Sequence, residues 1–296
     1  MNKMIIKKTS TTEYVGVLVI FVAVFFKMVR DICVSHCKVP KAVATKKKEN
    51  LWWNTIFSLA HSVGCSMLIS YCFVKEHMNF TKDLINHYNQ FSMVSLIFSC
   101  GYFVADTLDI LLTRGFVSEV GILLHHFVMI LGIAKGLITR QFINAICLSL
   151  IAEYSSMILH VRMLMKMSGC FIGEKRFIYT TVCAVNWISF GLIRFSTITY
   201  LYRFLYGALG RLNNHDKYFY FITGSLIAII NGYYFVVLFK SDFIKKQKKI
   251  NECYFSCCYL NNNFFLFLTV KSKFTSILHK LIITISFLVV SIKTVH

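Results

Sequence analysis

The chain has 296 residues, of which 56% are hydrophobic and only 15% charged, with a mean hydropathy of +0.62. Such a composition excludes a soluble globular domain and points to a polytopic membrane protein. The net charge of +19 suggests no nucleic-acid ligand, because the Lys and Arg residues sit mainly at the ends of apolar runs rather than on a polar face with interleaved aromatics.

A single Pro in the whole chain fits long helices. The apolar runs are about twenty residues long with helical periodicity, twice the length of barrel strands. The expected fold class is therefore all-α, a polytopic transmembrane helical bundle. Its first apolar run, Tyr14 to Phe26, is short for a span but becomes long enough if Lys27 and Arg30 snorkel. It lacks a small-residue cleavage site and reads as a retained helix. A basic linker follows, with Lys38, Lys41, Lys46, Lys47 and Lys48 around Pro40.

Further spans are expected over Leu51–Val74, Phe91–Thr113, Val120–Ile138, Phe142–Leu164, Phe177–Leu205 and Tyr218–Phe239, about seven in all. The segment Phe177–Leu205 exceeds the usual length and carries Arg194, which suggests a tilt, a kink or a partly interfacial position. Domain limits are set at 1–47 (first helix and linker), 48–245 (six spans) and 246–296. The last stretch holds Cys253, Cys257 and Cys258 and the apolar run Ile277 to Ile292, either an eighth helix or a variable tail outside the core. The eleven Cys residues form no CxxC pair and read as small buried hydrophobes.

The stretches 27–48, 114, 162–176 and 240–249 hold most of the loop Lys and Arg. By the positive-inside rule they face the cytosol, which leaves the N-terminus extracytosolic and the basic tail cytosolic.

Ionisable residues in hydrocarbon are costly and mark candidate sites. Glu119, His125, His126, Lys135, Glu153 and His160 all fall within two consecutive spans. Glu119 and His126 share one helix face and Glu153, Ser156 and His160 another, so the two stripes are expected to face each other across the bundle. Elsewhere Asn54, Ser58, His61 and Cys65 form a stripe, as do Tyr102, Asp106, Asp109 and Thr113. Asp106, Asp109 and Arg194 are expected to neutralise one another. Lys135, within a turn of a helix end, is expected to snorkel.

One reading is a polar chamber for lipid head groups or acyl chemistry, lined by His61, Asp106, Asp109, Glu119, His160 and Arg194. The other is interhelical hydrogen-bond glue, which needs no ligand. His125, His126 and Glu153 are the catalytic candidates, since a histidine beside a carboxylate suits a general base. No metal site and no cofactor are expected from the spacing.

Four ordered motifs resemble the TLC domain: Leu51-Trp52-Trp53-Asn54 with SLAHS at 58–62, GYFVADTLDILL at 101–112, LLHHFVMILG at 123–132 and EYSSMILHVRMLMKMSG at 153–169. That family includes the translocating-chain-associating membrane protein, ceramide synthases and a ceroid-lipofuscinosis protein. The resemblance spans about residues 48–245. It is strongest to the TLC-domain-containing proteins implicated in limiting polyunsaturated phospholipids. It implies control of membrane phospholipid composition and fluidity, with phospholipids or fatty-acyl chains, and a lipid-modifying enzyme, as partners. It further implies the plasma membrane, with the endoplasmic reticulum as the alternative.

In the ceramide synthase branch a later His-Asp…Asp pattern accompanies the histidine pair. The matching places here are Ala152, Glu153 and Ser156, so two of the three polar groups are missing. An acyl-CoA-dependent acyltransferase using His125 or His126 is the rival reading.

Overall fold

A computed structural model describes residues 2–43, 45–76, 81, 83–116, 119–169 and 176–244. The tail from 245 onward, with its cysteines and the expected eighth helix, lies outside them, as do the tail lysines Lys245 to Lys249. The chain divides into two compact units, Met1–Val237 and Leu238–His296.

The described residues are helical, with no strand. Helix α1 covers Asn2–His36 and α2 Lys46–Glu76. Then come α3 (Gln90–Thr113), α4 (Val120–Thr139) and the short α5 (Ile143–Ser149). A 3₁₀ turn at Leu150–Ala152 joins α5 to α6, Glu153–Met167. Helix α7, Arg176–Ser189, passes through a π-helical segment at Phe190–Arg194 into α8, Phe195–Gly207. Helix α9 covers Asn214–Phe239, and the second unit adds a π turn at Lys240–Ile244.

Six helical segments are long and apolar enough to cross a membrane: Lys46–Lys75, Gln90–Thr113, Val120–Thr139, Ile143–Met167, Phe177–Gly207 and Asn214–Asp242. The molecule is a polytopic helical bundle. The first apolar run lies in α1 but is not one of the six. The irregularity expected in the span carrying Arg194 takes the form of the π segment.

The bundle buries many polar side chains within its apolar core and leaves large apolar ones exposed. Phe21, Val24 and Phe25 of α1 and Leu112 of α3 are exposed, while Asn54, His61, Ser62, Ser95, Ser99, Asp106 and Asn144 are buried. Lipid imposes this arrangement, because apolar side chains lose nothing by facing hydrocarbon and polar ones must find partners inside. Many hydroxyls bond back to the carbonyl four residues earlier, as Thr55 to Leu51, Ser58 to Asn54 and Thr107 to Phe103, which satisfies them locally.

Helix α3 is the central element. Of its candidate span 67% is buried, against 17% for the last one, and it packs on α1, α2, α4 and α5. Asn89 caps it by accepting a hydrogen bond from the Ser92 amide at 2.7 Å. At its other end Gly115 takes φ 79° and donates to the Ile110 carbonyl, the left-handed stop that glycine allows without a Cβ penalty.

The turn between α4 and α5 is unusual. Arg140 and Phe142 both adopt left-handed φ values, 58° and 59°, with no glycine; each such residue costs about 1–2 kcal/mol. Tertiary contacts hold them: the Phe142 amide donates to the Ile85 carbonyl at 2.7 Å and its ring lies 4.2 Å from that of Tyr220. The Ile85 loop is itself ordered by Asp83, whose carboxylate accepts from the Ile85 and Asn86 amides. Burial would raise the Asp83 pKa, but these amide donors hold it below its ordinary value.

Candidate functional site

Among the described residues, three polar clusters and an apolar cavity stand out in the bundle interior. The first joins α2, α3 and α6. Ser62 donates to Glu153 Oε2 at 2.5 Å, and His61 Nδ1 lies 3.9 Å from the same oxygen. The other ring nitrogen of His61 meets Ser99 Oγ at 3.2 Å, and the ring stacks on Tyr102 with centroids 4.0 Å apart. Ser99, His61 and Glu153 thus line up in the order of a nucleophile, base and orienting acid. Ser99 is completely buried and lines neither cavity described below. The cluster ties α2, α3 and α6 together, and Tyr154 adds a hydrogen bond to the Ser66 carbonyl.

The second cluster joins α2, α3 and α4. Asn54 donates to Asp106 Oδ1, and Arg114 donates to Asn54 Oδ1 at 2.7 Å while pairing with Glu119 at 3.2 Å. His126 presents Nε2 to Asp106 Oδ2 at 3.5 Å and Nδ1 to Thr107 Oγ1 at 3.2 Å. The ring of Phe103 is common to both clusters, with centroids 5.3, 6.1 and 5.2 Å from those of His61, His125 and His126. His125 points away from its neighbour's acid, as a 100° helical step requires, and its buried Nδ1 has no hydrogen-bond partner.

Asp109, one turn from Asp106, pairs instead with Arg30 of α1 at 2.5 Å. The two acids, Asn54 and Arg30 border a crevice of about 20 Å³, room for about one water molecule.

The third cluster surrounds Arg194. The π segment carries it into the interior, where it is 9% exposed. Its Nε donates to Ser155 Oγ and its Nη2 to Ser156 Oγ, both at 2.7 Å, and its Nη1 donates to Asn231 Oδ1 at 2.6 Å. The guanidinium also packs 4.7 Å from the Phe190 ring centre. Arg194 and Asn231 form one polar end of a cavity of about 150 Å³ between α4, α5, α8 and α9, whose walls are mainly apolar, among them Met129, Ala145, Leu201 and Ile227.

Several expectations need correction. Arg194 engages neither Asp106 nor Asp109; these acids are met by Asn54, His126 and Arg30, which lie on helices packed directly against α3. Arg30 therefore turns inward rather than snorkelling. Lys135 pairs with Asp216 in the first turn of α9 and sits 4.7 Å over the Phe219 ring. The stripes of α4 and α6 do not confront one another. Glu119 and His126 are engaged from α3 and its C-terminal end, whereas Glu153 is held from α2 and Ser156 from the π segment. His160 follows Glu153 by two turns, half-buried.

The acid beside His126 is Asp106 of α3. Ser155, Asn231, Arg30 and Arg114 were not singled out as site residues from the sequence. Asn231 is the only Asn in an apolar run from Phe219 to Phe239, and an amide in such a setting is a usable signal. Among the described residues no group of three or more His, Cys, Asp or Glu side chains is arranged to hold a metal ion.

The sequence model of the TLC domain matches residues 51–240. TLC domain-containing protein 2 of Danio rerio is 26% identical over 233 residues, covering 76% of this chain and 89% of that protein. TLC domain-containing protein 1 of Homo sapiens is 26% identical over 223 residues, covering 72% and 87%. TLC domain-containing protein 1 of Gallus gallus is 30% identical over 134 residues, 44% of this chain and 53% of the relative. The match takes in all four motifs, the three polar clusters apart from Arg30, and the cavity, and the chain belongs to the TLC domain family.

Proposed function

We propose that this multi-pass, lipid-related membrane protein regulates phospholipid composition and fluidity by binding a lipid acyl chain within the bundle. The observation that carries the reading is the cavity between α4, α5, α8 and α9, with apolar walls and a polar end at Arg194 and Asn231. Apolar lining with a few placed polar groups is the usual make-up of a site for an amphiphile. A binding protein of this kind acts on membrane composition by sequestering the chain or by restraining a lipid-modifying enzyme. Its setting in this proposal is the plasma membrane, with the N-terminus extracytosolic and the basic tail cytosolic, in keeping with the loop charges.

A specific contact favours a second reading, an acyl-CoA-dependent acyltransferase. Asp106 lies beside His126 Nε2, the arrangement in which a carboxylate fixes a histidine tautomer for proton abstraction. The His126 ring, however, does not line the cavity.

One experiment separates the two. Gly224 lines the cavity, and a Cβ placed there would meet nothing nearer than the Tyr202 hydroxyl at 3.7 Å. Gly224→Leu should fill the cavity without disturbing the backbone. Under the binding reading it abolishes the change in cellular phospholipid profile that the wild-type protein causes, while His126→Gln, which keeps a hydrogen-bonding group, retains most of it. Acyl transfer by purified protein that falls roughly 10²-fold or more in His126→Gln would establish the enzyme instead.

A further inference from the structure

We infer that the ligand of this cavity is a single-chain lipid with an anionic head, a carboxylate in the first instance, and that Arg194 is the group that recognises it. The inference rests on the acyl-chain reading above and adds the chemistry of the head group.

The argument begins with charge. Arg194 is a buried cation, yet its three hydrogen-bond acceptors, Ser155, Ser156 and Asn231, are all neutral. The carboxylate whose charge acts on it, Glu153, makes no direct contact with it and accepts a hydrogen bond from Ser62 instead. Arg30 and Arg114, by contrast, each touch a carboxylate directly. Burying a charge without a directly bonded counter-ion is costly, so a cation whose hydrogen-bond partners are all neutral, on a cavity wall, is suited to an anion brought from outside.

The donor count agrees. A guanidinium has five N–H groups, one on Nε and two on each Nη. The bonds to Ser155, Ser156 and Asn231 use one from each nitrogen, leaving one N–H on Nη1 and one on Nη2. Paired donors of a planar guanidinium are the usual fork for a carboxylate or a phosphate.

The shape limits the remainder of the ligand. Thr223, Gly224, Ile227 and Asn231 line one face of α9, and Tyr220 closes the far end. From Asn231 to Tyr220 is eleven residues, about 16 Å at the helical rise. A slot of that length with a volume of about 150 Å³ suits one extended chain.

The test uses the purified full-length protein in vesicles of phosphatidylcholine, with two photoreactive probes: a diazirine-bearing palmitic acid and the alcohol of the same chain. The acid should label peptides from 195–207 and 214–239 at least 10-fold more than the alcohol. Competition separates the sources of the anion. Palmitate displacing the probe better than monopalmitoyl lysophosphatidate assigns a carboxylate, and the reverse assigns a head-group phosphate.

Arg194→Gln should erase the preference for acid. Asn231→Asp keeps the side-chain shape and gives Arg194 an internal counter-ion, so it should fold at least as stably as the wild type and still lose the preference. Equal labelling of these peptides by acid and alcohol in the wild type would overturn the inference while leaving the acyl-chain reading in place. Labelling by neither probe would overturn both.

Discussion

At the scale of single residues, ion pairs inside the bundle tie its helices together. Arg30 and Asp109 are the clearest pair, with side chains 12% and 5% exposed. Removing one member of a buried pair typically costs 3–5 kcal/mol, whereas replacing both with apolar groups is often close to neutral. Arg30→Leu or Asp109→Leu alone should therefore lower the thermal stability of the purified protein sharply, and the double variant should recover most of the loss. Additive losses in a double-mutant cycle would mean that the two side chains do not interact. The same cycle run on Arg194 and Asp109 should show no coupling, since their partners are separate.

At the scale of elements, contact between α1 and α3 depends on Gly101. A Cβ built there would lie 2.6 Å from two carbons of Val22 and 2.9 Å from the Val19 carbonyl oxygen. The carbonyl belongs to the α1 backbone and cannot turn aside, so Gly101→Ala must push the helices apart, at about 1–3 kcal/mol for an overpacked contact. Gly16→Ala on α1 is the matched control, because nothing lies within 4 Å of its Cβ position, and the gain in helix propensity should make it neutral or slightly stabilising. A melting temperature unchanged by Gly101→Ala would refute this packing. Close approach through a small residue is a common way for helices to associate in lipid, where the hydrophobic effect supplies no attraction between them.

At the scale of the whole molecule, the orientation proposed above places Lys47 in the cytosol and Asn86, beyond the other end of α2, on the opposite side of the membrane. In intact cells an impermeant thiol reagent should modify Asn86→Cys and spare Lys47→Cys until the membrane is opened. Four of the native cysteines, Cys65, Cys72, Cys100 and Cys147, are buried, and the unmodified protein provides the background. Labelling of both positions without permeabilisation would contradict the topology.

The sequence by itself determined the helical class, the positions of the six candidate spans to within a few residues, and the residues that carry the interior polarity. Those properties follow from one-dimensional requirements: about twenty apolar residues to cross hydrocarbon, a 3.6-residue period, and the high cost of every polar group placed there. His61, Asp106, Asp109, Glu153 and Arg194 were legible for that reason. Tertiary structure alone decided their partners. Whether Asp109 meets Arg30 or Arg194 depends on which helices α3 touches, a relation between residues far apart in the chain that periodicity does not encode. The π segment at Phe190–Arg194 changes the helical phase ahead of α8, so a regular 100° step does not predict how Arg194 stands relative to Thr197 and Leu201. The cavity exists only where α4, α5, α8 and α9 fail to close on one another, and its charged end arises because the acids that might have neutralised Arg194 are committed to other helices.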